Sequence, residues 1–234
     1  MKKIIFTLLA LVGTMSLNAQ VVKVMNNDQI VAVFTADQAN NVVFEETPFG
    51  QGYAAATGIG YVKWVQLWEN GPKFAEYNVG AKSATEYGGY YAWGGSKDKV
   101  ADQNTGTDAL FGTDDTATKL WGGNWRMPTQ AELNALLNNE NCTCTWAVQN
   151  DVNGLLCRGK EGTDYASNSV FLPAAGYCYL GGVSDQGDYG GYWSSTPAGS
   201  SRYAYYLYFL SGGQYVADCD RDCGYSIRAV LAEE

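Results

Sequence analysis

The sequence predicts an α+β chain: two main helices among short, mostly antiparallel strands, preceded by a small N-terminal β ribbon. Three observations carry that expectation. Glycine supplies 28 of 234 residues, roughly 12% against ~7% on average, and 17 Tyr and 7 Trp accompany it, a composition of tight turns and aromatic strands. Two segments carry helix punctuation, one opening at Asp114-Asp115 and one at Thr129. Around them the chain reads as short apolar runs separated by Gly-, Asn- and Asp-rich turns.

Lys2 and Lys3 precede the apolar run from Ile4 to Val12, then Gly13 and a small-residue stretch ending Asn18-Ala19. This is the layout of a secretory signal peptide over residues 1–19, cut after Ala19. The run is too short to span ~30 Å of hydrocarbon, so export is expected, to the periplasm, the cell surface or the medium. The first cysteine is Cys142, which leaves no lipid-anchor cysteine near the cut, and no transmembrane segment follows. Residues 20–46 alternate: Val22 and Val24, then Ile30, Ala32 and Phe34, flank the turn Asn26-Asn27-Asp28, and Val42-Val43-Phe44 adds a third short run. A ribbon this small needs a neighbour to pack on. Residues 47–60 lack periodicity and read as a linker, and the main domain spans 61–234.

In that domain, Asp114-Asp115 opens a helix running to Trp121, since acidic residues favour the positive end of the helix dipole. The second helix has Thr129 and Glu132 at capping-box spacing, Pro128 just outside, and Leu133, Leu136 and Leu137 on one face. Tyr203 to Leu210 and Gln214 to Ala217 flank Ser211-Gly212-Gly213 as a hairpin. Gly224 to Leu231 reads as a closing strand with Tyr225, Ile227 and Ala229 on one face.

Composition excludes several chemistries. There is no His, so no Ser-His-Asp triad, Cys-His pair or His-ligated metal can form, and Ser194 and Ser195 have no imidazole base to activate them. The formal charge is -9, and removing residues 1–19 takes away two lysines and no acid, which argues against nucleic acid. Gly154 to Lys160 has phosphate-loop spacing, but Glu161 stands where Ser or Thr should bind magnesium, so the segment reads as a turn before the next strand. Asp218, Asp220 and Asp222 have a spacing that could meet calcium, yet Cys223 stands where an EF-hand needs Gly, and Ala229 where it needs Glu; a solvated acidic turn is the plainer reading.

Six blocks are distinctive: Trp64 to Ala81, Tyr87 to Gly94, Trp121 to Thr129 leading to Glu132-Leu133, Phe171 to Tyr177, Tyr192 to Thr196, and Gly224 to Arg228. In this order they resemble the Fibrobacter succinogenes major paralogous domain, close to the C-terminal domain of Legionella collagen-like proteins. The resemblance implies a C-type-lectin-like fold, distantly related to formylglycine-generating enzymes, and roles in surface recognition and adhesion, carbohydrate binding included. It does not carry the enzyme's chemistry: those enzymes space a cysteine pair Cys-x4-Cys, whereas Cys219 and Cys223 are Cys-x3-Cys and abut the final strand. The sugar-binding lectin signatures Glu-Pro-Asn and Trp-Asn-Asp are also missing.

Within the blocks, Trp93, Trp121, Trp125 and Trp193 sit beside glycines and read as scaffold, and Arg126 and Arg228 as forks holding carbonyls or carboxylates. Six cysteines allow fifteen disulfide connectivities; Cys144 and Cys157 are expected to pair across a hairpin turning near Asn150 to Gly154. Eight tyrosines fall between residues 189 and 225, and half of them should face out unless both faces of their sheet are covered. This stretch also loosely resembles the variable region of C-type-lectin targets of diversity-generating retroelements. Tyr189, Arg202, Tyr205 and Tyr215 are the expected ligand-binding residues, with residues 181–188 as a rim. The expected function is an exported, non-enzymatic recognition module for a glycan or a surface protein, without cofactor or metal. The alternative is a structural or adhesive component of a surface assembly, and a formylglycine-generating-type oxidase stands third.

Overall fold

The computed structural model describes residues 21–26, 29–35 and 48–232. The expected signal peptide and the run Val42-Val43-Phe44 lie outside them. Val21–Asn26 (β1) pairs antiparallel with Gln29–Thr35 (β2), Asn26 opposite Gln29. Gln51–Ala56 (β3) and Gly60–Gln66 (β4) form a hairpin, and Lys73–Ala75 (β5) pairs with β4. A six-residue helix, Thr116–Trp121 (α1), the strand Trp125–Arg126 (β6) and an eight-residue helix, Gln130–Leu137 (α2), follow. Cys142–Gln149 (β7), Val152–Gly159 (β8) and Ser169–Pro173 (β9) make one meander. Tyr177–Tyr179 (β10) and Gly182–Ser184 (β11) make a small hairpin. Tyr189–Ala198 (β12), Tyr203–Leu210 (β13) and Gly213–Asp220 (β14) make a second meander, and Val230–Leu231 (β15) ends the order.

Among the described residues the fold is mostly strand (42%, against 9% helix) with two α-helices, so the α+β, C-type-lectin-like expectation is corrected: the protein is mostly β, a sheet curled into a half-barrel. Helix punctuation marks where a helix starts and says nothing of its length. Both starts are where the sequence puts them. The Asp115 carboxylate accepts from Thr118 N at 3.0 Å and from Met127 N at 2.9 Å, tying α1 to the chain just after β6. Thr129 and Glu132 complete both halves of the capping box of α2, which buries Leu133 and Leu136. Between these starts and the next turns there is room for only two turns of helix each.

Two further expectations change. Gln51–Ala56, read as linker, is a strand of the main sheet, whose order is β3-β4-β5-β15-β6. Its bare Gly52 and small Ala side chains hide the alternation that burial of Gly52 and Ala56 reveals. Gly154 to Lys160, read as a turn, lies in strand β8 up to Gly159; the tight turn is Asn150-Asp151, both at positive φ. Of the expected closing strand, only Val230–Leu231 joins a ladder, while Gly224, Tyr225 and Ser226 make single bridges to Cys178, Tyr91 and Tyr192. Tyr225, Ile227 and Ala229 are nonetheless all buried in one core.

That core holds Trp93, Trp121, Trp125 and Trp193, each at most 2% exposed, so the tryptophan-glycine blocks are scaffold. A second core, with Leu67, Phe74, Leu155, Leu207 and Phe209, lies between the meanders and α2. Arg228 is fully buried and donates to Asn78 Oδ1 (2.9 Å) and to the carbonyls of Ala75 (3.0 Å), Glu76 (2.8 Å) and Phe171 (2.8 Å). Burial pulls its guanidinium down to about 10, and this web of acceptors is what makes a charge tolerable there. Arg221 is similarly buried, 4.0 Å over the Trp93 ring, with its donors on the carbonyls of Tyr203 at the start of β13 and of Gly106, among others.

Candidate functional site

The tyrosine-rich meander does not gather the four expected residues. Tyr208 pairs with Tyr215 across β13 and β14, and their rings stack at 4.6 Å; Tyr189 lies 5.1 Å from Tyr208 on the same face. Tyr205 pairs with Asp218, three positions away from that pair in register, which places it on the opposite face. Arg202 belongs with Tyr205: it is ion-paired to Asp220 and lies 5.4 Å from the Tyr203 ring. Burial separates them further. Tyr215 is 54% exposed, whereas Tyr189 packs into a pile with Tyr177, Tyr208 and Tyr225, where burial raises its hydroxyl pKa strongly. Both faces of β13 are covered, Ala204 and Tyr206 lying in one core and Leu207 and Phe209 in the other, whereas β14 leaves Tyr215 open. The rim, residues 181–188, carries the exposed end of the small β10–β11 hairpin. Asp220 is engaged by Arg202, and among the described residues no three acidic or thiol side chains gather as a metal-holding group.

A larger concavity lies elsewhere, along the five-stranded sheet. It measures about 1240 Å³ and is walled by β3, β4, the β4–β5 turn, β5 and the flank of α2. Two tryptophans shape it, Trp64 and Trp68, each partly exposed. Each ring occupies the space where a neighbouring glycine lacks a side chain. A Cβ on Gly52 would lie 2.6 Å from Trp64 Cζ2, and one on Gly71 would lie 2.5 Å from Trp68 Cε2. Gly52 reaches Trp64 through the β3–β4 register, and Gly71 reaches Trp68 through the turn that its N–H closes on Trp68 O at 3.1 Å. Each ring thus lies against bare backbone. Tyr53 and Tyr61 also line the groove.

Amides supply directional contacts. Gln51 Nε2 donates to Asn168 Oδ1 at 2.6 Å, while Gln51 Oε1 is buried with no hydrogen-bond partner among the described residues. Asn168 in turn donates to the carbonyls of Phe49 and Gln66, and Gln66 Nε2 to Gly71 O at 2.8 Å, so the amides are fixed. Charges in the groove balance. Arg126 and Glu132 form a two-pronged pair at 2.7 and 2.6 Å, and Lys73 and Glu69 are of opposite sign. Burial pushes the Glu132 carboxyl up, but Arg126 and the Thr129 N–H outweigh it and hold the net value below the ordinary one. Lys73 Nζ lies 5.0 Å from the Trp64 ring centroid, within cation–π reach. Sequence reading missed this site because it placed Gly52 in a linker; the signal present was the pair Trp64 and Trp68 followed by Gly71.

The cysteines divide into three settings. Cys144 and Cys157 face each other in the β7–β8 ladder and are joined, Cα to Cα 4.0 Å, as the spacing led one to expect. Cys142 and Cys178 are buried thiols. Cys219 and Cys223 are partly exposed, their Sγ atoms 3.5 Å apart.

The profile of the Lcl C-terminal domain matches residues 64–231, every block quoted above included. The chain belongs to the Lcl C-terminal domain family. No curated protein and no solved structure matches it. Lcl-type domains are extracellular or surface-associated, and among the described residues no helix is long and apolar enough to cross a membrane. Within this Lcl domain, the groove's Trp64, Trp68 and Gly71 lie inside the matched segment, and Gly52 lies before it.

Proposed function

We propose that this Lcl-type domain is an exported, non-enzymatic surface-recognition module that binds a neutral saccharide in the groove along the five-stranded sheet. The observation that carries the reading is the pair of tryptophan rings seated on Gly52 and Gly71, partly exposed beside hydrogen-bonded amides. Sugar rings present apolar C–H faces to aromatic planes and hydroxyls to amides, and preorganised groups lose little entropy on binding. The balanced charges of Glu69, Lys73, Arg126 and Glu132 favour an uncharged ligand over a polyanion.

A protein ligand on the other side is the second reading, favoured by the exposed Tyr215 ring stacked on Tyr208. Titration of neutral oligosaccharides, followed by tryptophan fluorescence, separates the two. Binding that is lost in Trp64→Ala and Trp68→Ala but kept in Tyr205→Ala and Tyr215→Ala supports the groove. The reverse pattern moves the site to the C-terminal meander, and no saccharide binding at all rejects the reading.

A further inference from the structure

Cys219 is the next-to-last residue of β14, paired in register with Ala204, and Cys223 follows in the turn that its N–H closes on Asp220 O at 3.1 Å. The backbone on both sides is pinned. Gly224 exchanges two hydrogen bonds with Cys178, 2.7 and 2.8 Å, and Arg221, inside the turn, is stacked on Trp93 with its N–H on Arg202 O at 3.0 Å. This frame holds the two Sγ atoms 3.5 Å apart, so an S–S bond of about 2.05 Å needs a closure of only about 1.5 Å, within reach of small side-chain rotations. Tyr225 Oη donates to Cys219 Sγ at 3.3 Å, and Tyr225 is itself stacked on Tyr206 at 4.6 Å. Both cysteines are partly exposed, unlike Cys142 and Cys178.

We propose that Cys219 and Cys223 are a reversible dithiol–disulfide couple, open to small-molecule disulfides and separate from the Cys144–Cys157 bond. The hydrogen bond with Cys223 lowers the Cys219 thiol against the opposing effect of burial, and the Tyr225 hydroxyl adds to it, which makes Cys219 the attacking sulfur. The Cys219 thiolate attacks one sulfur of a disulfide RSSR; a Cys219–SR bond forms, and RS⁻ leaves and takes up a proton. Cys223 then gives up its proton and attacks Cys219 Sγ, expelling the second RS⁻. Two protein thiols are oxidised by two electrons, and one RSSR is reduced to two RSH.

The test equilibrates the folded full chain with glutathione buffers of graded oxidised-to-reduced ratio, quenches in acid, alkylates and maps peptides by mass spectrometry. The expected result is a Cys219–Cys223 link that appears as the ratio rises and reverses as it falls, with Cys142 and Cys178 alkylated throughout. Cys223→Ser should stop at a glutathione adduct on Cys219, whereas Cys219→Ser should react far more slowly. Circular dichroism confirms that each variant is folded. The proposal is overturned if both thiols of the folded protein remain alkylatable at every ratio, or if the wild type accumulates the adduct without closing the ring.

Discussion

Replacing Gly71 with alanine perturbs one thing, the seat of the Trp68 ring. The added Cβ would lie 2.5 Å from Cε2 and 2.6 Å from Cδ2, distances that no methyl and ring carbon can share, so the indole must leave its position. Gly71 has no left-handed φ and its N–H bond to Trp68 O does not involve a side chain, so the turn itself accepts alanine. A sugar face covering roughly 50 Å² of the ring at about 25 cal/mol per Å² contributes about 1.3 kcal/mol, or about eightfold in Kd. Displacing the ring should therefore weaken saccharide binding about eightfold, while overpacking lowers stability by about 1 kcal/mol. Isothermal titration of wild type, Gly71→Ala, Trp68→Ala and the double variant measures both the loss and its origin. In the Trp68→Ala background, Gly71→Ala should add nothing, because the ring it acts through is gone. Equal losses in both backgrounds, or wild-type affinity in Gly71→Ala, would refute the idea that glycine-seated rings make the binding platform.

Other expectations concern the frame. Thr129→Ala removes the capping-box hydroxyl and should cost about 1 kcal/mol, a drop in Tm of about 3 °C by calorimetry. The folded Glu132 carboxyl titrates below its ordinary 4.5, so its pairing with Arg126 stabilises the fold above that pH and is lost as pH falls through the lowered value; Glu132→Gln should flatten the acid limb of the Tm-against-pH curve. Arg228→Met strands Asn78 Oδ1 and the carbonyls of Ala75, Glu76 and Phe171, and should cost about 3–5 kcal/mol in urea unfolding. Removing the Cys144–Cys157 bond by a double alanine substitution frees a loop of separation 13 and should cost about 3 kcal/mol, read as a lower urea midpoint.

The parts of this fold legible in the sequence are those whose signal is local. Thr129 and Glu132 are three residues apart and cap one helix, and Asp115 caps the other with its neighbour Thr118. The Cys144–Cys157 pairing follows from one hairpin, and the tryptophans beside glycines are buried as large rings near bare backbone should be. Helix length was not legible, because it depends on where the next strand must dock. Which of the eight tyrosines face out was not legible for a related reason: alternation puts half of them on each face, but which face meets solvent is decided by residues elsewhere in the chain. Both faces of β13 meet a core, through Tyr206 on one side and Leu207 on the other, while Tyr215 on β14 stays exposed.

The groove was hidden for a different physical reason. Gly52 has no side chain to register in any periodicity, and its contribution is the absence of a Cβ under a ring twelve positions away. A pattern of apolar side chains records what is present on each strand; a platform made by pairing a large ring with an empty position leaves no trace until the strands are in register. The same holds at Cys219 and Cys223, whose closeness is set by Arg221 between them, buried on Trp93, rather than by either cysteine. Among the aromatic residues facing glycines across the sheets, only those whose rings remain partly exposed, as at Trp64, can serve a ligand; those sealed inside, as Phe209 is against Gly190, serve the frame.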